Sequence, residues 1–255
     1  MKNTALVLVG HGSTRHPDGA VPVLALAEDI RRRGRFAEVV AVFMKQDPPL
    51  AAAEHLVSAA SVVVVPVFAG KGYYTDILIP REMGLTGPVT ERAGRRFHYT
   101  APAGTHPRIP GLLACRAEGV ATAAGMAVER SALLLIAHGS SRPGGAGDTP
   151  RAIAAAIAAM NRFAEVVLVF LEQEPKAGSW AALATCRDVV ALPLLVAQGM
   201  HASQDIPPLF GLAAGETGPT ECDGHRLVLA TGIGAEPDLV EVILDMAAAG
   251  AESGS

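Results

Sequence analysis

Three residues have the types and spacing of a divalent-cation site. His138 stands in AHGSSR, Glu172 in VFLEQEP and His201 in AQGMHASQDIP, each just beyond a run of apolar residues. Two imidazoles supply neutral nitrogen donors and one carboxylate a charged oxygen, a set that suits first-row divalent metals. Gly139 and Gly199 beside the histidines let the backbone turn sharply and leave space for a ligand. Taken singly, H-G-S after a strand is equally a tight turn whose serine, Ser13 or Ser140, caps the following helix. The recurrence of metal-type donors beyond three successive strands is what points to one shared site.

The chain carries this pattern twice, and the copies differ where the chemistry lies. A gap-free shift of 127 residues, the one that takes His11 onto His138, aligns TALVLVGHGSTR (4–15) with SALLLIAHGSSR (131–142). It also aligns RFAEVV (35–40) with RFAEVV (162–167), Pro66 with Pro193, Gly72 with Gly199 and Pro80 with Pro207. A repeat of this length means one supersecondary unit used twice. In the first copy the position of Glu172 is Lys45 and that of His201 is Tyr74. A lysine beside His11 repels a cation, so metal chemistry is expected in the second copy alone.

The elements that must position these residues follow from hydrophobic patterning. Short apolar runs predict strands at residues 5–9, 38–44, 62–67 and 96–100, then at 132–137, 166–171, 189–194 and 226–230. Helices are expected over 22–33, 50–59, 75–83 and 107–125, in the matching intervals of the second half, and over 237–249. Continuous apolar strands alternating with helices mean a parallel sheet covered on both faces. The expectation is α/β, two tandem domains over residues 1–127 and 128–255, each a four-stranded parallel sheet flanked by helices. A short turn at Glu129-Arg130-Ser131 joins them, and a pseudo-twofold axis would relate them. Open parallel sheets bind ligands beyond the carboxyl ends of their strands, which is where the three residues fall.

Composition narrows the function classes. The 255 residues are 50% apolar with a net charge of −4, which offers no nucleic-acid footprint. Three scattered cysteines without a C-x-x-C pattern argue against a disulfide framework and fit a reducing compartment. No apolar run reaches membrane-spanning length, and Gly10 and His11 interrupt the one candidate leader, so a cytoplasmic protein is expected. Lys71 lacks the upstream glycines of a phosphate loop, and neither G-x-G-x-x-G after a strand nor G-x-S-x-G occurs. No nucleotide cofactor is expected; monomer and homodimer both remain open.

The chain resembles the sirohydrochlorin chelatase family (the CbiX/SirB group), the ATP-independent class II tetrapyrrole chelatases, in its long two-repeat form. The resemblance covers nearly the whole chain and rests on GHGSTR (10–15) and AHGSSR (137–142), FLEQEP (170–175) and GMHASQDIP (199–207). It implies a chelatase-like, flavodoxin-like fold in each half, with a tetrapyrrole held between the halves. The implied reaction inserts a divalent metal substrate, Co2+ or Fe2+, into sirohydrochlorin without a nucleotide, a lyase step of cobalamin or siroheme biosynthesis. The metal-inserting pair would be His138 and His201 with Glu172 as the accompanying acid, and the first half departs from that pattern at Lys45 and Tyr74. A ring bearing many carboxylates calls for local cations. Arg15, Arg142 and Lys45 are the candidates, with His11 and Tyr74 as further substrate contacts. Two other readings stand beside this one: a non-catalytic metal or tetrapyrrole carrier on the same fold, and a phosphate-handling enzyme that uses H-G-S as a nucleophilic motif.

Overall fold

A computed structural model describes residues 1–14, 17–140, 147–196 and 205–252. Its strands are β1 (Thr4–Gly10), β2 (Glu38–Phe43), β3 (Ser61–Pro66), β4 (Val89–Arg92), β5 (Arg95–Tyr99), β6 (Ser131–Ala137), β7 (Glu165–Phe170), β8 (Asp188–Pro193), β9 (Thr220–Cys222) and β10 (His225–Leu229). The α-helices are α1 (Val21–Arg32), α2 (Ala53–Leu56), α3 (Ile79–Glu82), α4 (Ile109–Ala123), α5 (Asp148–Ala159) and α6 (Leu239–Glu252). No helix among the described residues is long and apolar enough to cross a membrane.

Each sheet has five strands, in the orders β2-β1-β3-β5-β4 and β7-β6-β8-β10-β9. The expected four-stranded parallel sheets are therefore corrected by one strand each. The additions, β4 and β9, run antiparallel to β5 and β10 at the sheet edge. They are short, and no apolar alternation marks them. Their turns carry the signal instead: Ala93-Gly94 and Asp223-Gly224 all have positive φ, the conformation of a tight two-residue hairpin.

The central strands are buried along their whole length. All seven residues of β1 and all seven of β6 are buried, because helices cover both faces. In the first sheet Ala5, Val7 and Val9 face a core completed by Leu50, Ala53, Ile79, Met83 and Phe97. The second sheet turns Ala132, Leu134 and Ile136 toward Trp180, Ile206 and Phe210. Two expected helices are shorter than their pattern suggests. Residues 50–59 give a 3-10 turn (Leu50–Ala52) followed by α2, and 75–83 give a π-helical turn (Tyr74–Leu78) followed by α3. Pro80, which has no N–H to donate, sits at the start of α3.

The compact units do not follow the sequence repeats. One unit comprises Met1–His106 with Pro237–Ser255, and the other is Pro107–Glu236. The last helix of each repeat is thus exchanged: α6 packs on β3 and β5, and α4 packs on β8 and α5. In α4 the buried face is Ile109, Leu113, Ala114, Ala117 and Ala121. Arg116 on the same helix ties back to Glu236 (3.1 Å) and Thr231 (2.6 Å), at the far end of its own unit.

The identical RFAEVV segments have a structural cause. Glu38 accepts hydrogen bonds from the Ser58 hydroxyl and from the Ser58 and Ala59 N–H groups, at 2.7–3.1 Å. Its counterpart Glu165 accepts from Thr185 and Cys186 in the same way, at 2.6–3.0 Å. Ser58, above all through its hydroxyl, holds the Glu38 carboxyl below its usual range. Burial pushes Glu165 up, but the Cys186 and Thr185 hydrogen bonds outweigh it and leave a net lowering.

Two predictions follow from this architecture. Residues 107–236 produced alone will give one cooperative thermal transition at monomer mass. Residues 128–236, which lack α4 and so expose the apolar surface it covers, will not; equal behaviour of the two fragments would refute the exchange. Glu165→Ala will cost about 1–3 kcal/mol at neutral pH, because two N–H groups lose their acceptor. The folded carboxyl is the more acidic, so this stabilisation is complete above the unfolded value near 4.5 and is lost as pH falls below it. Denaturant titrations of wild type and variant should converge in that acid range.

Candidate functional site

In each unit the first polar side chain past the central strand is a histidine: His11 after β1 and His138 after β6. Because β6 lies between β7 and β8, the loops that follow the three strands are neighbours on one rim. Residue 172 follows β7 by two residues, so the topology brings Glu172 to one side of His138. His201, Arg15 and Arg142 lie outside the described residues.

The turn carrying His138 is tightly determined. Gly139 has φ +74°, and a Cβ there would fall 2.7 Å from Gln173 Cγ and 3.1 Å from Phe170 Cβ. The His138 carbonyl accepts the Glu172 N–H at 2.9 Å, and the Ser140 N–H donates to Gln173 Oε1 at 2.9 Å. Adjacent residues therefore grip the turn on both sides of Gly139, one through its main chain and the next through its side chain. The first unit repeats this with Lys45 N–H on the His11 carbonyl (3.0 Å) and Ser13 N–H on Gln46 Oε1 (3.3 Å). The N-cap positions of α1 and α5 are Ala20 and Gly147. Gln46 and Gln173 were missed by sequence reading. Their signal was available, since the 127-residue shift keeps glutamine at both while the residue before it changes from Lys45 to Glu172.

The histidine tautomer follows from its partner. His138 Nδ1 lies 3.1 Å from the Gly139 carbonyl, and His11 Nδ1 lies 2.8 Å from that of Gly12. A carbonyl only accepts, so Nδ1 carries the proton in the neutral ring and Nε2 presents its lone pair. His138 Nε2 is 3.8 Å from Glu172 Oε1, and both side chains are partly exposed, at 40% and 47%. That separation is too long for a hydrogen bond. Two metal–ligand bonds of about 2.1 Å reach across it, so one cation can touch both atoms. Among the described residues no group of three metal-type side chains is gathered; His138 and Glu172 form a pair.

The first unit brings different chemistry to the same rim. Tyr74 meets His11 edge to face, with ring centroids 5.4 Å apart and an interplanar angle of 82°. Phe68 and Tyr73 extend the cluster, at 6.4 Å from His11 and 5.9 Å from Tyr74. Thr75 fixes this loop from below: its hydroxyl bonds Gly72 and Asp76, and its carbonyl accepts the Tyr99 phenol at 2.6 Å. Burial pushes that phenol's pKa well up, which keeps it a neutral donor. Lys45 is exposed beside His11, and Tyr73 is 41% exposed.

Both repeats match a known family. The CbiX family profile matches residues 5–120 and 132–249. A Halobacterium salinarum protein named probable sirohydrochlorin cobaltochelatase is 32% identical over 272 aligned residues, covering 98% of this chain and 93% of the relative. A multi-domain Deinococcus radiodurans protein described as structurally similar to chelatases superposes with a TM-score of 0.81 at 29% identity, and the chain, 98% covered, spans 56% of its length. The sirohydrochlorin chelatase SirB of Bacillus subtilis subspecies spizizenii, solved with cobalt, has the same fold at 22% identity and a TM-score of 0.72, with 99% and 97% of the two chains covered. Two matched repeats and a relative alike from end to end place the chain in the CbiX family, the sirohydrochlorin chelatase group.

Proposed function

We propose that this chain inserts a divalent metal, Co2+ or Fe2+, into sirohydrochlorin without a nucleotide, in the formation of cobalamin or siroheme. His138 and His201 are the metal-accepting imidazoles and Glu172 the accompanying carboxylate. The observation that carries this reading is the His138–Glu172 pair, with Nε2 directed by the Nδ1 contact and an acid 3.8 Å away. The first unit supports the third member. There residue 74, the counterpart of 201, lies against His11.

Insertion into a free-base ring has three barriers: the metal must shed water, two pyrrole protons must leave, and the ring must deform. Neutral imidazoles replace water on a borderline cation. A sparse donor set leaves coordination positions open, so the ion can pass on to pyrrole nitrogens rather than stay trapped. Glu172 balances the cation's charge and is placed to accept a proton as the ring nitrogens take over. Lys45, Arg15 and Arg142 meet ring carboxylates. The rings of Tyr74 and His11 supply an apolar face, with Lys45 in the place where a carboxylate would have favoured a metal.

The test mixes purified protein, sirohydrochlorin and Co2+ or Fe2+ without ATP and follows ring absorption. His138→Ala and His201→Ala should each fall to near the spontaneous rate, a loss beyond the ~10–100-fold typical of outer partners of a metal site. His11→Ala should keep most of the activity. Comparable losses at all three would place the active site in the wrong unit. Tight binding with no rate above the spontaneous one would identify a carrier instead.

A further inference from the structure

Gln173 is not a ligand candidate, yet the geometry around His138 converges on it. Its Oε1 accepts the Ser140 N–H at 2.9 Å, immediately past the glycine whose φ of +74° sets the direction of the turn. Its side chain is walled by two glycines. A Cβ on Gly139 would fall 2.7 Å from its Cγ, and one on Gly147 would fall 2.9 Å from its Nε2. No larger residue fits at either place without moving the amide. On the near side the His138 turn is fastened through the Glu172 N–H. The other side is fastened by this amide.

We propose that Gln173 is a positioning residue for metal transfer. By fixing the Gly139–Ser140 peptide it holds His138 with Nε2 facing Glu172, so that the two donors are preset for one ion. The proposal rests on the reading of His138 as a metal-accepting group. The duplication provides a control within the same chain. Gln46 makes the corresponding bond to Ser13, at 3.3 Å, in a unit where Lys45 stands in place of the carboxylate. The glutamine serves the turn in both units, but only in the second does the turn face an acid.

The experiment titrates Co2+ alone into the full-length protein by calorimetry and then measures the KM for Co2+ with sirohydrochlorin present. Gln173→Met, which keeps length but removes the acceptor, should weaken Co2+ binding and raise its KM by ~10–100-fold. Gln173→Glu keeps an acceptor oxygen and should stay within ~3-fold of wild type, well short of that loss. Gln46→Met imposes the same lesion on the first unit; its thermal midpoint should fall about as far, with Co2+ affinity unchanged. If Gln173→Met does not fold, Gln173→Asn, one methylene too short to reach Ser140, reads the same loss.

Wild-type Co2+ affinity in a folded Gln173→Met or Gln173→Asn protein would overturn the positioning role, while loss of affinity in His138→Ala would leave the functional reading standing. Retained affinity in His138→Ala would remove both. Equal loss of affinity in the Gln46 and Gln173 variants would reduce the effect to general stability and also overturn the proposal.

Discussion

Everything at the rim depends on the central strand of each sheet being buried on both faces. A strand with no exposed residue cannot carry polar chemistry along its length, since an unpaired polar group there would cost several kcal/mol. Polar side chains are confined to the strand ends: Thr4 and Ser131 at the amino ends, and others where the chain emerges past the carboxyl ends. There His11 and His138 appear, each one residue beyond its strand. The flanking strands end level with the central one, so three loops start from one rim, and Glu172 is brought beside His138 by topology rather than by nearness in sequence.

The duplication separates scaffold from chemistry. Elements that hold the backbone are kept in both copies: Glu38 and Glu165 under the helical turns, Gln46 and Gln173 under the histidine turns, and the positive-φ glycines Gly12 and Gly139. Of the three metal-type donors only the first imidazole is kept, as His11, since Lys45 stands in place of the acid and Tyr74 in place of the second imidazole. A lysine ammonium and a phenol are poor company for a divalent ion but suit an anionic, partly apolar ring. One fold therefore offers a cation-friendly rim in one unit and an aromatic, cationic rim in the other.

Much of the fold was legible because its signals are local. The apolar runs of β1, β3, β6 and β8 and the spacing of α1 mark their elements within a residue or two. The edge strands β4 and β9 escaped because strands of four and three residues show too little alternation to stand out. The helix at 75–83 was half right. Its first turn is π-helical, with the Ile79 N–H reaching back five residues to the Tyr74 carbonyl. Of the candidate site, residue type and position past a strand singled out His138 and Glu172, whose side chains the fold brings within 3.8 Å. Gln173 was not singled out, because an amide supporting a neighbouring turn has no motif of its own.

The sequence by itself determined the repeat, the α/β alternation, the family and which copy holds metal-type donors, because each is written in residue identity and short-range period. Only the tertiary structure decided which sheet α4 and α6 cover. Their apolar faces follow from helical spacing, but two related sheets present similar surfaces, and periodicity cannot choose between them. It also decided which nitrogen of His138 is presented and how near the acid lies. Those depend on a carbonyl one residue along and on a strand some thirty residues away, and only folding brings them within hydrogen-bonding and ligand distance.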